Sequence, residues 1–476
     1  MEKRNYIVAI DPGSANITIA VGAVGNEGRL HIEEIVSGAM QGITRGEIAN
    51  RQQVSASISE AIRAVEQKLG LRISDVYMGS SGKHIRCASH DYYVYVADRS
   101  EGEIQTTDVS ALHDMMNNIQ AQEGIKILDR IPLEYVIDES NSVKDPVGMF
   151  GKKLSTTFNF VLASTTLLER MDKTLLALGI ATRRTIAAAI ASAEAVLLPE
   201  EREMGVAVVD LGSGTTDVSV WYDNEVRFVR SIPLGAGDID SDIHQQGILD
   251  KRIGELKHTF GVAMTELVVS DKLISIAGRS PREKQEISQK NLAIIIENRL
   301  REIIGYVVAE IGDSGYAGRL KKGIVLTGGG SQLKGIDELF SHVTGMEVRL
   351  GVPDVNVAED SVELAQNPAY STVIGLLLKA LEQGARAGAV QRNLTYERAP
   401  VSSHSAGVTQ PKPEPARGLD KPTQERTLHS GSGFVDDEED EDSDKRPPKK
   451  GSWIKLFGKK VMDGFMPDDS LEDEDI

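Results

Sequence analysis

This 476-residue sequence predicts an α/β protein made of two related halves, with an insertion in the first and a tail after the second. Three stretches carry that expectation. Gly205-Val-Ala-Val-Val-Asp-Leu-Gly-Ser-Gly-Thr-Thr-Asp-Val-Ser-Val-Trp221 is a β-branched apolar run ending in Asp210. A Gly/Ser/Thr turn over residues 211–216 follows, and Asp217–Trp221 alternates polar and apolar, as a half-buried strand does. The same order recurs near the start. Tyr6–Ile10 runs into Asp11-Pro-Gly-Ser-Ala-Asn16 and then Ile17–Val21. The third stretch, Gly323–Ser331, is a buried-type strand closing in Gly328, Gly329 and Gly330.

Each hairpin turn has the chemistry of an anion cradle. Glycine lets backbone N–H groups close on a phosphate. In the second hairpin Gly212 and Gly214 supply that freedom, and Ser213, Thr215 and Thr216 add hydroxyl donors. The first offers Gly13, Ser14, Ala15 and Asn16. Asp11 and Asp210 end their strands where each can hold Mg2+, directly or through water. An ordinary glycine hairpin competes as the reading of either stretch alone. The ordered set resembles the actin, Hsp70 and sugar-kinase superfamily. That resemblance implies an actin-like two-domain ATPase fold with ATP between the halves. Pyrophosphate and adenosine would approach the backbone at Gly328, Gly329, Gly330 and Ser331.

Composition narrows the function classes. Hydrophobic content of 40% and charged content of 26% are ordinary for a globular protein. A net charge of −18 argues against nucleic-acid binding, which needs a basic face. With Cys87 as the single cysteine there is no intrachain disulfide and no cysteine metal cluster, and a reducing cytoplasm is expected. No secretory core precedes the first strand, and no apolar run spans a bilayer.

In chain order, residues 30–36 read as a strand, 52–69 as an amphipathic helix and 75–79 as a buried-type strand. Residues 84–164 read as an inserted unit. Its strands are expected at 84–89, 92–96 and 153–163, with a helix at 107–122. The insertion is either a plain α/β elaboration or a protein-contact module. A helix follows over 164–178, with Ser164 as cap and Gly179 as stop. The Ala-rich run 186–198 reads as a connecting helix between the halves.

Here the resemblance narrows. Ser81-Gly-Lys-His-Ile85, Ile131-Pro-Leu-Glu-Tyr-Val-Ile-Asp138 and Asp145-Pro-Val-Gly148 look like the FtsA family of bacterial cell-division proteins. The resemblance implies subdomain 1A at 1–83 and 165–200, and an SHS2-type subdomain 1C at 84–164. It implies 2A at 201–245 and 319–384, and 2B at 246–318. Subdomain 1C would contact filament neighbours and later division proteins.

Past the second hairpin, Gly235 and Gly237 are candidates to close on the nucleotide, and Asp240 and Asp242 are expected to satisfy a helix start. Lys257 matches the family's lysine near ribose and base. The family's acidic ribose contact is displaced, with Gly254 at its position and Glu255 one residue on. In the expected 2B lobe, a helix over 289–311 carries an apolar stripe. The resemblance implies that this lobe grips the acidic tail of the tubulin-like FtsZ. Arg279, Arg282 and Arg299 suit those carboxylates, or form a solvated basic rim. A second connecting helix is expected from 367 to 377.

Residues 385–450 are rich in Pro, Ser and Gly and include the acidic run 436–442, a composition expected to stay disordered. Residues 451–466 break that pattern. At helical spacing Trp453, Phe457, Val461 and Phe465 share a face, with Ile454 and Leu456 flanking it. Lys459 and Lys460 add positive charge. An interfacial helix on an anionic membrane is expected, with docking on a partner protein as the alternative. FtsA chains end in such a helix, opening with Gly-Ser-Trp-Ile-Lys as at 451–455 here. The acidic end, 467–476, departs from that pattern.

The expected function is therefore an ATP-binding protein that polymerises on the inner face of the cytoplasmic membrane and anchors FtsZ at the division septum. Type IV pilus assembly proteins share the core and the insertion but generally lack the tail. A carbohydrate kinase needs a catalytic base, for which the sequence shows no clear candidate. Actin-like relatives place an acid early in the Ala-rich helix, where this chain has Arg184 or Thr185. Slow hydrolysis or none is expected.

Overall fold

The two expected hairpins sit at equivalent places in two sheets of the same topology. The computed structural model describes residues 6–25, 28–96, 102–140, 142–277 and 284–386. The first lobe opens with β1 (Ile7–Pro12), β2 (Asn16–Val24) and β3 (Leu30–Ala39), then the short β4 (Ile43–Thr44) and β5 (Glu47–Ile48). Helix α1 (Arg51–Leu69) follows, with β6 (Asp75–Ser80) behind it. Asn50 starts α1 by accepting from the Gln52 and Gln53 amides, and Gly70 ends it in the left-handed region. Val54, Ile58, Ile62 and Val65 form its buried stripe.

The insertion comprises β7 (Arg86–Tyr95), α2 (Thr106–Asn118), β8 (Ile125–Ile137), β9 (Ser142–Val143) and β10 (Lys153–Ser164). The two strands expected over 84–96 are one strand. It pairs with β10 without a break from Arg86↔Leu162 to Tyr95↔Lys153, so the ladder overrides the polar stretch between them. The chain returns through α3 (Thr165–Ala177) and β11 (Ala181–Ala187) to α4 (Ala188–Val196). Ser164 occupies the cap position of α3, but its side chain makes no capping bond. The Ala-rich helix starts two residues later than expected. Arg184 and Thr185 belong to β11, pairing with Tyr77 and Met78 of β6.

The second lobe follows a short helix α5 (Pro199–Met204). It holds β12 (Val206–Leu211), β13 (Thr216–Tyr222), β14 (Glu225–Ile232), α6 (Ala236–His244) and α7 (Asp250–Phe260). Then come the hairpin β15 (Leu273–Ala277) and β16 (Lys284–Ser288), α8 (Gln289–Asp313), β17 (Ile324–Thr327), α9 (Ile336–Thr344), β18 (Val348–Leu350) and α10 (Ser371–Arg386). β18 is only three residues long, because Thr344 still belongs to α9 and Gly345 ends that helix at φ 67°.

Sheet order exposes the duplication. The first sheet runs β11-β6-β1-β2-β3, and the second contains β18-β17-β12-β13-β14. In both, an antiparallel meander (β1-β2-β3, β12-β13-β14) has two parallel strands beside its first strand. The second sheet does not stop at β14. It continues β7-β10-β8-β9 into the insertion, giving nine strands, although the β14–β7 junction is the single pair Arg230↔Arg86.

Helices α4 and α10 pack between the lobes. A side chain on Gly375 of α10 would place Cβ 1.6 Å from the Ala191 carbonyl oxygen, so only glycine permits this crossing. Ala-rich α4 is buried along nearly its whole length, which makes the two helices the common floor of both lobes.

Candidate functional site

The two hairpin turns meet across the cleft above α4. In the first, Asp11 pairs with Thr18 and the Gly13 amide donates to the Asp11 carbonyl at 3.1 Å. In the second, Asp210 pairs with Asp217 and the Gly212 amide donates to the Thr215 carbonyl at 2.9 Å. A Cβ on Gly214 would lie 2.3 Å from the Ser14 hydroxyl oxygen, so the turns touch. Ser14 also accepts from the Gly46 amide at 3.3 Å, and Arg45 reaches across to Asp238 at 3.0 Å. The cleft holds about 100 Å³ of room for water-sized occupants, within about 800 Å³ of empty space that includes the open solvent at its mouth. Asp11, Asp210, Asp217, Ser14, Ser213 and Thr215 line its polar part, and Leu167, Leu168 and Met171 of α3 its apolar part.

Three carboxyl groups converge on this polar part. Burial, then the charges of Asp210 and Asp217, push Asp11 up to about 7. Burial pushes Asp210 up to about 6, while hydrogen bonds from Thr372 and Ser192 oppose the shift. The Thr372 hydroxyl donates to Asp210 Oδ2 at 2.9 Å. Burial and the Asp210 charge push Asp217 up to about 7, opposed by Ser231, Ser81 and Thr215. Burial is common to all three, and neighbouring carboxylate charge adds to it at Asp11 and Asp217; such groups favour protons or a cation. Among the described residues no set of three or more His, Cys, Asp or Glu forms a metal-binding group. A Mg2+ held by one or two carboxylates, phosphate oxygens and water does not need one. The donor set, two glycine turns with Ser14 and Thr215 beside paired carboxylates, fits a phosphate chain with such a cation.

Asp217 is absent from the sequence-derived site. It opens the alternating strand after the turn and reads there as one polar position of a half-buried strand. Its cross-strand position opposite Asp210 was the available signal.

Other expected residues serve the turns from behind. The Ala236 and Gly237 amides donate to the Gly212 and Ser213 carbonyls, both at 2.8 Å. A Cβ on Gly235 would lie 2.6 Å from each of those carbonyl oxygens. Gly235 and Gly237 therefore close on the second turn rather than face the cleft. The Thr216 hydroxyl, expected as a donor to the ligand, is fully buried and donates to the Leu234 carbonyl at 2.8 Å. Ser331 is buried and donates to the Gly328 carbonyl at 2.7 Å. Gly328, at φ 87°, packs on Asp210 and Leu211, and Gly330 packs on Leu211, while Gly329 is exposed. Ala15 and Asn16 are exposed at the rim of the first turn.

Helix α6 corrects the acidic assignment. Asp238 is its first-turn acid, with the Gly235 amide donating to Asp238 Oδ2 at 2.9 Å. Asp240 and Asp242 lie further along and pair with cations from other elements. Lys257 of α7 reaches Asp240 at 2.5 Å and donates to the Ala236 carbonyl at 3.3 Å. Arg299 of α8 grips Asp242 through two bonds of 2.7 and 2.8 Å and also pairs with Glu302. Glu255 sits exposed and paired with Arg252, and Gly254 faces open space. Glu194 turns from the cleft to Arg202 and Lys379, at 2.6 and 3.1 Å. Arg279, Arg282, Trp453, Ile454, Leu456, Phe457, Lys459, Lys460, Val461 and Phe465 lie outside the described residues. No helix of the described residues is long and apolar enough to cross a membrane.

Comparison with known proteins agrees with this architecture. The family model for cell division protein FtsA matches residues 207–375. The model for the SHS2 domain inserted in FtsA matches residues 82–162. The chain is 30% identical to the cell division protein FtsA of Pseudomonas aeruginosa over 384 residues, covering 80% of this chain and 91% of that protein. It is 31% identical to the FtsA of Escherichia coli strain K12 over 385 residues, covering 79% and 90%. A solved PilM–PilN type IV pilus biogenesis complex aligns with a TM-score of 0.54 at 15% identity, over 79% of this chain and 99% of that one. That last likeness is one of fold. The fold is actin-like with an inserted SHS2 domain, and the chain belongs to the FtsA family of cell division proteins.

Proposed function

We propose that the chain binds ATP with Mg2+ between its two lobes, polymerises on the cytoplasmic face of the membrane and anchors FtsZ there at the division septum. The observation that carries the nucleotide reading is the meeting of two glycine turns above three converging carboxyl groups, Asp210 and Asp217 buried and Asp11 half-buried. Backbone N–H groups of residues 14–16 and 213–215 hold the phosphates, and Asp11 and Asp210 hold the cation. Mg2+ supplies the positive charge that lets phosphates and carboxylates share one cleft. Gly329 and Gly330 border the adenosine, and Lys257 flanks it.

Hydrolysis is slow or absent. The wall that α4 presents to the turns is Ala188, and Glu194 is engaged elsewhere. Asp217 does reach the cleft, but Ser81 lies 2.7 and 2.9 Å from its two oxygens.

The acidic FtsZ tail binds the small part of the second lobe, with Arg279, Arg282 and Arg299 as its cations. At Arg299 it competes with Asp242 and Glu302. The insertion serves filament neighbours and later division proteins. The amphipathic segment 451–466 supplies membrane contact, weak singly and strong along a filament, because each later contact is intramolecular.

The test is co-sedimentation with anionic liposomes, with and without Mg·ATP, of the full chain and of a chain ending at Lys450. The expected result is lipid pelleting by the full chain only, strengthened by Mg·ATP. Equal pelleting of the shortened chain removes the terminal segment as anchor. Failure of both to pellet overturns membrane attachment.

A further inference from the structure

The insertion belongs to the first lobe by chain connection, since it leaves from β6 and rejoins at α3, yet it is bolted to the second lobe. Asn159 of β10, 2% exposed, donates both amide hydrogens to β14, at 3.0 Å to the Val226 carbonyl and 2.9 Å to that of Arg227. The Arg227 guanidinium, itself buried, pairs through two bonds with Glu134 of β8. The Val229 amide donates to Cys87 Sγ of β7 at 3.3 Å. These contacts replace the ladder that the single Arg230↔Arg86 pair leaves incomplete.

The root of the insertion is fastened to the hairpin of the candidate site. Ser81 follows β6 directly, and its hydroxyl lies 2.7 and 2.9 Å from the Asp217 oxygens and 2.8 Å from Thr215 Oγ1. The single Ser81 hydroxyl hydrogen points to the Asp217 carboxyl group and Thr215 Oγ1, and the Thr215 hydroxyl is itself directed at Asp217 Oδ2. The next residue, Gly82, donates its amide to Ser231 Oγ at 2.8 Å. Ser231 is the β14 partner of Asp217. The second turn, β13, β14 and the insertion therefore form one hydrogen-bonded series, and Ser81 closes it into a ring.

We propose that the clamp of Ser81 and Gly82 on Asp217 and Ser231 couples occupancy of the cleft to the seating of the insertion on β14. The insertion then presents its partner-binding surface in a nucleotide-dependent way. Ser81 is a positioning residue, acting through Asp217. The proposal rests on the nucleotide reading for its trigger only, because the clamp itself is observed.

The test is hydrogen–deuterium exchange on the full chain, without nucleotide and with saturating Mg·ATP. In the unaltered chain Mg·ATP slows exchange in β7 and β10 by about fivefold or more, the lower end of measured allosteric couplings. In Ser81→Ala, the turns at 13–16 and 212–216 still gain protection at saturating Mg·ATP, but β7 and β10 no longer respond. Ser81→Thr, which keeps the hydroxyl, restores the response. If Ser81→Ala fails to fold, Ser231→Ala takes its place. Protected turns with an unresponsive insertion in the unaltered chain overturn the coupling. So does a response that survives in Ser81→Ala. If Mg·ATP protects neither turn, the nucleotide reading falls. The clamp is then judged without nucleotide: Ser81→Ala must speed exchange along β7 and β14, and unchanged exchange there overturns it.

Discussion

The two hairpins share one plan but differ in how firmly they are held. The second turn is braced from behind by the Ala236 and Gly237 amides, from the side by Thr216 on Leu234, and from the first lobe by Ser81 on Thr215 and Asp217. Asp210 below it is buried and bonded to Thr372. The first turn has the Gly13 amide on Asp11, the Met40 amide on the Ala15 carbonyl and the Gly46 amide on Ser14. Its residues 15 and 16 are exposed. The lesson is one of preorganisation: a turn whose Gly212, Ser213 and Thr215 carbonyls are engaged keeps its N–H groups aimed, whereas a looser turn adjusts to what arrives. The second turn is the more constrained of the two.

The largest expected effect breaks the braced side. Gly328 sits at φ 87°, and a Cβ there would lie 2.2 Å from Asp210 Oδ1 and 2.7–2.8 Å from Leu211 backbone atoms. Gly328→Ala combines backbone strain with overpacking and costs about 3 kcal/mol. Gly13→Ala meets only the Asn16 carbonyl, at 2.8 Å, in a turn free to shift, and costs about 1 kcal/mol. Midpoints of chemical unfolding compare the two. Equal losses would contradict the asymmetry.

The next effect is electrostatic. A carboxyl group whose folded pKa lies above its unfolded value keeps a proton that the unfolded chain has released. Its contribution therefore falls as pH rises from about 4 towards 7. Asp11 and Asp217 stand at about 7 and Asp210 at about 6, against 3.8 unfolded, so the nucleotide-free chain loses stability from pH 5 to pH 8. The combined loss is on the order of 3 kcal/mol, discounted for coupling among the three. Acids held low by ion pairs, such as Glu134 and Glu201, have already contributed fully above pH 5. His84, held low by burial, acts in the opposite sense below 6.5. Asp217→Asn flattens the slope measured by thermal unfolding, and a slope as steep as the original would refute this assignment.

The smallest effect is at the rim. Arg45→Ala removes the Arg45–Asp238 pair that joins the lobes beside both turns. The Arg45 side chain is half-exposed, so the loss is below about 1 kcal/mol and shrinks with added salt. A loss above 2 kcal/mol would show that the rim, rather than the braced turn, holds the cleft.

Much of this fold was legible because short-range patterns carry it. Strand, Asp, glycine turn and alternating strand were readable at 6–21 and 205–221, and the apolar stripe of α8 was readable from 292 to 307. What was not legible at polar residues has one cause: their partners come from distant elements. Asp242 looks like a helix-start acid until Arg299 arrives from α8, 57 residues away. Glu194 has no facing in the sequence, and in the fold it belongs to Arg202 and Lys379. Asp217 looks like a strand's polar position until two strands pair and a loop 136 residues away donates to it.

The sequence by itself determined the duplicated α/β plan, the two glycine turns and the strongly periodic strands and helices, since periodicity and backbone freedom act within a few residues. Only the tertiary structure decided that the turns meet through Ser14 and Gly214. It alone seated the insertion on β14 and raised three carboxyl groups by shared burial. Those facts depend on which distant groups exclude water and which supply hydrogen bonds, and neither is encoded in local spacing.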